Sequence, residues 1–153
     1  MSVAIRRALP QDCTALFGLI AEHARFERSV ASLSPSDLLS ILTNHAPPVT
    51  ILVGARDSDL IGFAAITFDF ALWRARRWPH IDCLFVREDS RGLGLGATLL
   101  GSAADLARES GADRMEWQTP QWNERAITFY RRTGAEEAAK VRFTLATLST
   151  RNG

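Results

Sequence analysis

The stretch CLFVREDSRGLGLGATLLGSAADLA, residues 83–107, carries three signals in succession. Residues 81–86 are apolar apart from Asp82 and read as a short buried strand. Arg91-Gly92-Leu93-Gly94-Leu95-Gly96 is a glycine-rich turn. Leu95, Leu99, Ala103, Leu106 and Ala107 then recur at helical spacing, and Gly111 stops the helix. A strand, a glycine turn and a helix start together make an anion site. The first amides of the helix have no partner inside it, and its dipole favours negative charge there. The glycines let backbone approach a phosphate closely, and Arg91 can add a charge-assisted contact.

Glycine spacing alone leaves alternatives. Gly92-x-Gly94-x-x-Ala97 also fits a dinucleotide fingerprint, and Glu116 lies about 20 residues on, where that fold places an acid. The flanking elements argue against it, because the fingerprint opens a βαβ unit and an antiparallel hairpin precedes this loop. A helix cap without a ligand is the plainer reading, although three glycines in one turn raise the entropy of ordering it.

Working outward, residues 3–8 read as a first strand. Pro10 suits the first position of a helix, whose buried stripe is Cys13, Leu16, Phe17, Ile20 and Ala24. Ser34-Pro35-Ser36-Asp37 is a capping signature for a second helix with Leu38, Ile41 and Leu42. Residues 49–55 and 60–70 read as a hairpin around the polar turn 56–59. Residues 71–79 interleave Trp73 and Trp78 with Arg74, Arg76 and Arg77. Beyond the glycine-loop helix, residues 114–118 read as a strand, Asn123 caps a helix running to about Thr133 before Gly134, and residues 141–148 read as a last strand. A further short strand near Glu136 is an option. This is one α/β domain over residues 1–153, with four helices.

The chain has 153 residues, 46% hydrophobic and 23% charged, enough to bury a core. Eighteen basic against seventeen acidic residues give a net charge of +1, which offers no argument for nucleic-acid or membrane binding. Lys140 is the only lysine. Cys13 and Cys83 lie in apolar surroundings with no disulfide or metal-ligand spacing, and no signal peptide or spanning segment is evident. A soluble cytoplasmic protein without metal is the expectation.

Arg91-x-x-Gly94-x-Gly96 after Cys83-Leu84-Phe85-Val86 resembles the central acetyl-CoA motif of the GNAT N-acetyltransferase superfamily. The segment from Trp122-Asn123-Glu124-Arg125 to Tyr130 and Gly134-Ala135 resembles the next motif. Ile5-Arg6 through Asp12-Cys13, Ala24-Arg25-Phe26-Glu27 and Gly62-Phe63-Ala64 resemble the spermidine/spermine N-acetyltransferase branch and its small-amine relatives. The resemblance implies a mixed, mostly antiparallel sheet splayed open beside the strand before the loop. It implies acetyl-CoA as acyl donor, a small-molecule amine as acceptor, and a homodimer. Leu84, Phe85 and Val86 would then line the cofactor arm with backbone groups. Arg91, Gly92, Leu93, Gly94, Leu95, Gly96 and Ala97 would hold the diphosphate, and Asn123 and Arg125 would flank the arm.

Direct acetyl transfer in a ternary complex requires an acid, a base and an oxyanion donor. Tyr130, the only tyrosine, matches the family's acid. It shares a helix face with Asn123, about 10.5 Å away along the axis. Asp82 is the candidate base, or an anchor for the cationic substrate. It matches a glutamate of the branch, and burial in an apolar strand would raise its pKa. Its plainer reading is an ion pair. Glu27 matches a polyamine contact and Phe26 lines the amine's path, or the two simply solvate and pack. The oxyanion donor is expected near Leu84. His80 is a possible relay; His23 and His45 receive no role. The four tryptophans could wall a cation site, whereas the arginines of residues 74–77 would repel a polycation or bind a substrate carboxylate. The rivals are a protein N-acetyltransferase, a non-catalytic acyl-CoA sensor and a nucleotide-dependent oxidoreductase.

Overall fold

The computed structural model describes residues 2–148. The chain divides into two units, one ending at Pro120 and the other beginning at Gln121. The first holds β1 (Val3–Arg7), α1 (Cys13–Phe26), α2 (Pro35–Thr43), β2 (Thr50–Arg56), β3 (Asp59–Ala71), β4 (Arg76–Val86), α3 (Leu95–Glu109) and β5 (Glu116–Trp117). Its sheet has the order β1-β2-β3-β4-β5, antiparallel except for the parallel β4–β5 pair.

Side-chain alternation sorts this unit into layers. Val53, Ala55, Phe63, Ala65 and Phe85 face a core with Leu16 and Leu19 of α1 and Leu38 of α2. The residues between them face α3. Gly54 and Gly62 lie opposite each other on β2 and β3. A Cβ at Gly62 would come within 2.8 Å of the Phe85 carbonyl oxygen and 3.2 Å of Leu95 Cδ2, and one at Gly54 within 2.8 Å of Leu95 Cδ1. The two glycines form the hollow in which the first turn of α3 sits.

Two ties set the helix starts. Arg6 clamps Asp12 with two hydrogen bonds, at 2.7 and 2.9 Å, and the Leu9 amide donates to the same carboxylate at 2.7 Å. These bonds hold the Asp12 carboxyl below its usual range, with the Arg6 bonds contributing most. Ser34 and Asp37 form the expected capping box on α2.

The strand expected at residues 81–86 is the second half of a longer one. Residues 71–79 complete its hairpin through a 3-10 turn at Leu72–Arg74, with Ala75 in the left-handed region at φ +50°. Arg74 and Arg76 pair with Asp113 at 2.6 and 3.8 Å. Arg77 lies over the Phe68 ring at 4.9 Å, and Trp73 is fully exposed. Arg114 covers the Trp78 ring at 5.3 Å. These partners explain the arginine-rich segment as the chemistry of a hairpin tip.

The second unit contains α4 (Glu124–Arg132). Asn123 caps it by accepting from the Ala126 amide at 3.2 Å, and Gly134 follows at φ +86°. Arg131 grips Glu137 with two bonds, at 2.6 and 2.7 Å. The strands expected at residues 141–148 and near Glu136 are corrected here: the described residues contain no strand after β5. Alternation alone does not make a strand, which needs a ladder partner. Val141, Phe143 and Leu145 stay 78%, 91% and 85% exposed. No helix of the described residues is long and apolar enough to cross a membrane.

Candidate active site

The site of the first unit begins at a defect in β4. Ala65 pairs with Cys83 and Ile66 with Ile81, so Asp82 is the extra residue of a β-bulge. β5 pairs only His80 and Ile81. From Asp82 to Val86 the outer edge of β4 therefore has no neighbouring strand among the described residues, which is the splayed sheet the resemblance implied. The Arg87 amide donates to the Ile61 carbonyl at 2.9 Å. Counting back along an antiparallel ladder, Phe85 turns its amide and carbonyl to β3, and Leu84 and Val86 turn theirs to the open edge. The Val86 carbonyl already accepts Arg91 Nε at 2.9 Å.

Asp82 departs from expectation. It is exposed rather than buried in the strand. The bulge turns an in-line position of an apolar strand out to solvent.

The glycine loop lies just beyond. Gly92 and Gly94 have φ of +81° and +80°, and neither has an atom within 4 Å of an added Cβ. The first bond of α3 runs from the Thr98 amide to the Gly94 carbonyl at 3.0 Å, and no side chain caps the end. The amides of Leu95, Gly96 and Ala97 thus have no acceptor within the helix. At the base of the loop, Asp89 is held by Arg87 at 2.7 Å and Ser90 at 2.9 Å, which draws its carboxyl down to about 2. Uncapped amides, two open positive-φ glycines and a free strand edge fit a diphosphate-bearing thioester. Leu95 is buried, so it offers only its amide, and Leu93 is exposed. The Arg91 guanidinium lies 4.8 Å over Phe26 and 5.6 Å over Phe85.

On the α1 face of the same edge the structure gathers Phe26, Glu27, Cys83 and Phe85. Phe26 and Phe85 are 6.4 Å apart. Cys83 Sγ contacts Asp82 Oδ2 at 3.6 Å. Burial pushes the Cys83 thiol up to about 12, helped by the charge and hydrogen bond of Asp82 and then by the Glu27 charge. Two carboxylates, Asp82 and Glu27, therefore act on one point of β4. His23 belongs to this group and was given no role above. It stacks on Phe85 at 5.2 Å and bonds Glu27 at 3.2 Å. Its spacing from Leu16 and Leu19, seven and four residues, was the available signal.

Asn123, Arg125 and Tyr130 belong to the second unit. Arg125 is exposed; Asn123 and Tyr130 are half-buried. The Asn123 carbonyl oxygen caps α4, which leaves its amide group for any other contact. Tyr130 packs on Phe129 with ring centroids 5.2 Å apart.

Residues 14–135 match the sequence profile of the acetyltransferase (GNAT) family. The uncharacterised N-acetyltransferase YhfO of Bacillus subtilis is 30% identical over 87% of this chain and 89% of its own length. The thialysine N-epsilon-acetyltransferase of Bos taurus is 24% identical over 88% of this chain and 85% of its own. Among solved structures, an integron cassette protein from the mobile metagenome of V. cholerae superposes with a TM-score of 0.76 at 26% identity, covering 94% of this chain and 93% of the other.

Proposed function

Because the chain belongs to the GNAT family of acetyltransferases, and is an acetyl-CoA-dependent N-acetyltransferase, we propose that its acceptor is a primary amine of a small cationic molecule. The observation that carries this reading is the pair of carboxylates, Asp82 in contact with Cys83 at the open edge of β4 and Glu27 at the end of α1, whose charges both raise the Cys83 thiol. A cation is the ligand such a pair selects. The thialysine relative, by its name, acts on a small diamino acid, which agrees. The profile match runs across the boundary at Pro120, which supports one domain built from both units.

Acetyl-CoA supplies the acyl thioester; its diphosphate would be held by the amides of residues 95–97 with Gly92 and Gly94, and its arm by the backbone of Leu84 and Val86. Asp82 attracts the ammonium group and passes its proton to solvent, a role suited to an exposed carboxylate. That proton must leave because an alkylammonium titrates near about 10.4. A backbone amide at the bulged edge donates to the carbonyl oxygen as charge develops there. Tyr130 donates a proton to the departing sulfur. Asn123 and Arg125 support the cofactor arm, and Phe26 lines the amine's path. The reading includes a homodimer. It also places the enzyme in the cytoplasm, which its two free thiols, Cys13 and Cys83, suit.

The test is release of CoA from acetyl-CoA against a panel of diamines, diamino acids, aminoglycosides, monoamines and peptides. Turnover confined to small amines with a second cationic group is expected. Preferential turnover of peptides, or none despite CoA binding, would overturn the acceptor assignment.

A further inference from the structure

We propose that His23 is a positioning residue, which holds the Glu27 carboxylate against the bulged end of β4 so that it meets the cationic acceptor. The inference rests on the acceptor reading above and adds a residue to it.

The His23 ring is fixed on three sides. It lies nearly parallel to Phe85, 5.2 Å away at 27°, and edge-on to Phe63 at 5.9 Å and 74°. Its side chain is only 13% exposed. Packing alone does not call for an imidazole in that slot, since a phenyl ring would fill it. An imidazole there needs a hydrogen-bond partner. Nε2 finds one in Glu27 Oε1 at 3.2 Å, one helical turn on. With Nε2 protonated, the ring donates and the carboxylate keeps its charge.

Glu27 needs such a donor. It is the C-cap of α1, and Arg28 leaves the helix at φ +61°. The helix dipole disfavours a carboxylate at that end. Water would draw this side chain outward, for it is 37% exposed. Its bond to His23 holds it back, and its charge adds a minor push to the half-buried Cys83 thiol. His23 pins one oxygen and leaves the other for a ligand. Asp82 and the Cys83 thiol are titratable groups on this side, Arg91 stacks over Phe26 and Phe85, and Arg25 and Arg28 flank Glu27 in the chain.

The experiment has a kinetic arm and an arm independent of activity. His23→Phe keeps the ring and removes the donor; His23→Gln keeps a donor. With an amine that the wild type acetylates, His23→Phe should raise the acceptor KM about 3- to 10-fold, the scale of one hydrogen bond, and leave kcat and the acetyl-CoA KM within about twofold. His23→Gln should recover most of the loss. Glu27→Gln should raise KM too, and the double variant His23→Phe/Glu27→Gln should be no worse than Glu27→Gln alone. In the second arm, Cys83 is alkylated with iodoacetamide in a Cys13→Ser background at alkaline pH. His23→Phe and Glu27→Gln should each speed alkylation, and the double variant should go no faster. An unchanged acceptor KM, an unchanged alkylation rate, or effects that add in the double variant each overturn the proposal. If the wild type acetylates no amine, the acceptor reading fails and the alkylation arm alone decides His23.

Discussion

Gly94 and Tyr130 carry the sharpest consequences of single side chains. A Cβ at Gly94 meets no atom within 4 Å, so its penalty is the left-handed backbone at φ +80°, roughly 1–2 kcal/mol. That is small against the 5–15 kcal/mol typical of a folded domain. Gly94→Glu should therefore fold, as judged by circular dichroism. Its carboxylate would stand at the uncapped amides of α3 and abolish acetyl-CoA binding; normal affinity by calorimetry would refute the loop assignment. Tyr130→Phe should lower turnover by about 10²-fold or more and leave acetyl-CoA affinity nearly intact; unchanged turnover would sink the acid assignment. The loop was legible because glycine spacing, a preceding apolar run and a following helical stripe are all local. Asp82 was legible as an oddity but not as a bulge. A bulge is a count of residues on two paired strands, and one strand's pattern does not contain it. Arg91 was read as a charge-assisted contact for the diphosphate; its stacking on Phe26 depends on α1, which is far away in sequence and so was not legible.

Among the elements, the junction of β1 with α1 is tied by the Arg6–Asp12 clamp. The Asp12 carboxyl is depressed in the folded state, so its contribution to stability is present above its unfolded value of about 3.9 and is lost as pH falls through the lower folded one. Asp12→Asn should lower Tm near neutral pH, by an amount corresponding to about 2 kcal/mol. The gap to wild type should close as pH drops below about 4. A gap that stays constant with pH would show that the charge contributes nothing. The start of α2 and the β2–β3 hairpin were legible because caps and turns are written in adjacent residues: Ser34 with Asp37, and the polar turn at 56–59; Pro10 instead opens a 3-10 turn, and α1 begins at Cys13. The length of β4 was not. Its first half contains Arg76, Arg77, Trp78 and Pro79, which lack strand alternation, and it is extended because β3 pairs with it as far as Ala71. Residues 141–148 show the reverse case, with alternation present and a ladder partner absent.

Across the whole molecule, that unpaired segment bears on assembly. Val141, Phe143, Leu145 and Leu148 are 78–91% exposed in one chain. Burying a side chain of this kind is worth about 1.5–3 kcal/mol. Four together are comparable with the roughly 4–15 kcal/mol that association costs in lost freedom. A net charge of +1 adds little repulsion between copies. The alternation of apolar and polar side chains along residues 141–145 would suit a strand paired with a second copy, because backbone groups left unpaired are costly once such a face is covered. Sedimentation equilibrium at micromolar concentration should therefore report a dimer. Phe143→Asp should shift it toward monomer, since it places a charge in the centre of the exposed row without touching the core of the first unit, whose melting it should leave in place. A monomeric wild type, or a dimer indifferent to Phe143→Asp, would assign the exposed row no part in pairing. CoA release by the monomer would then show that a single chain suffices for activity.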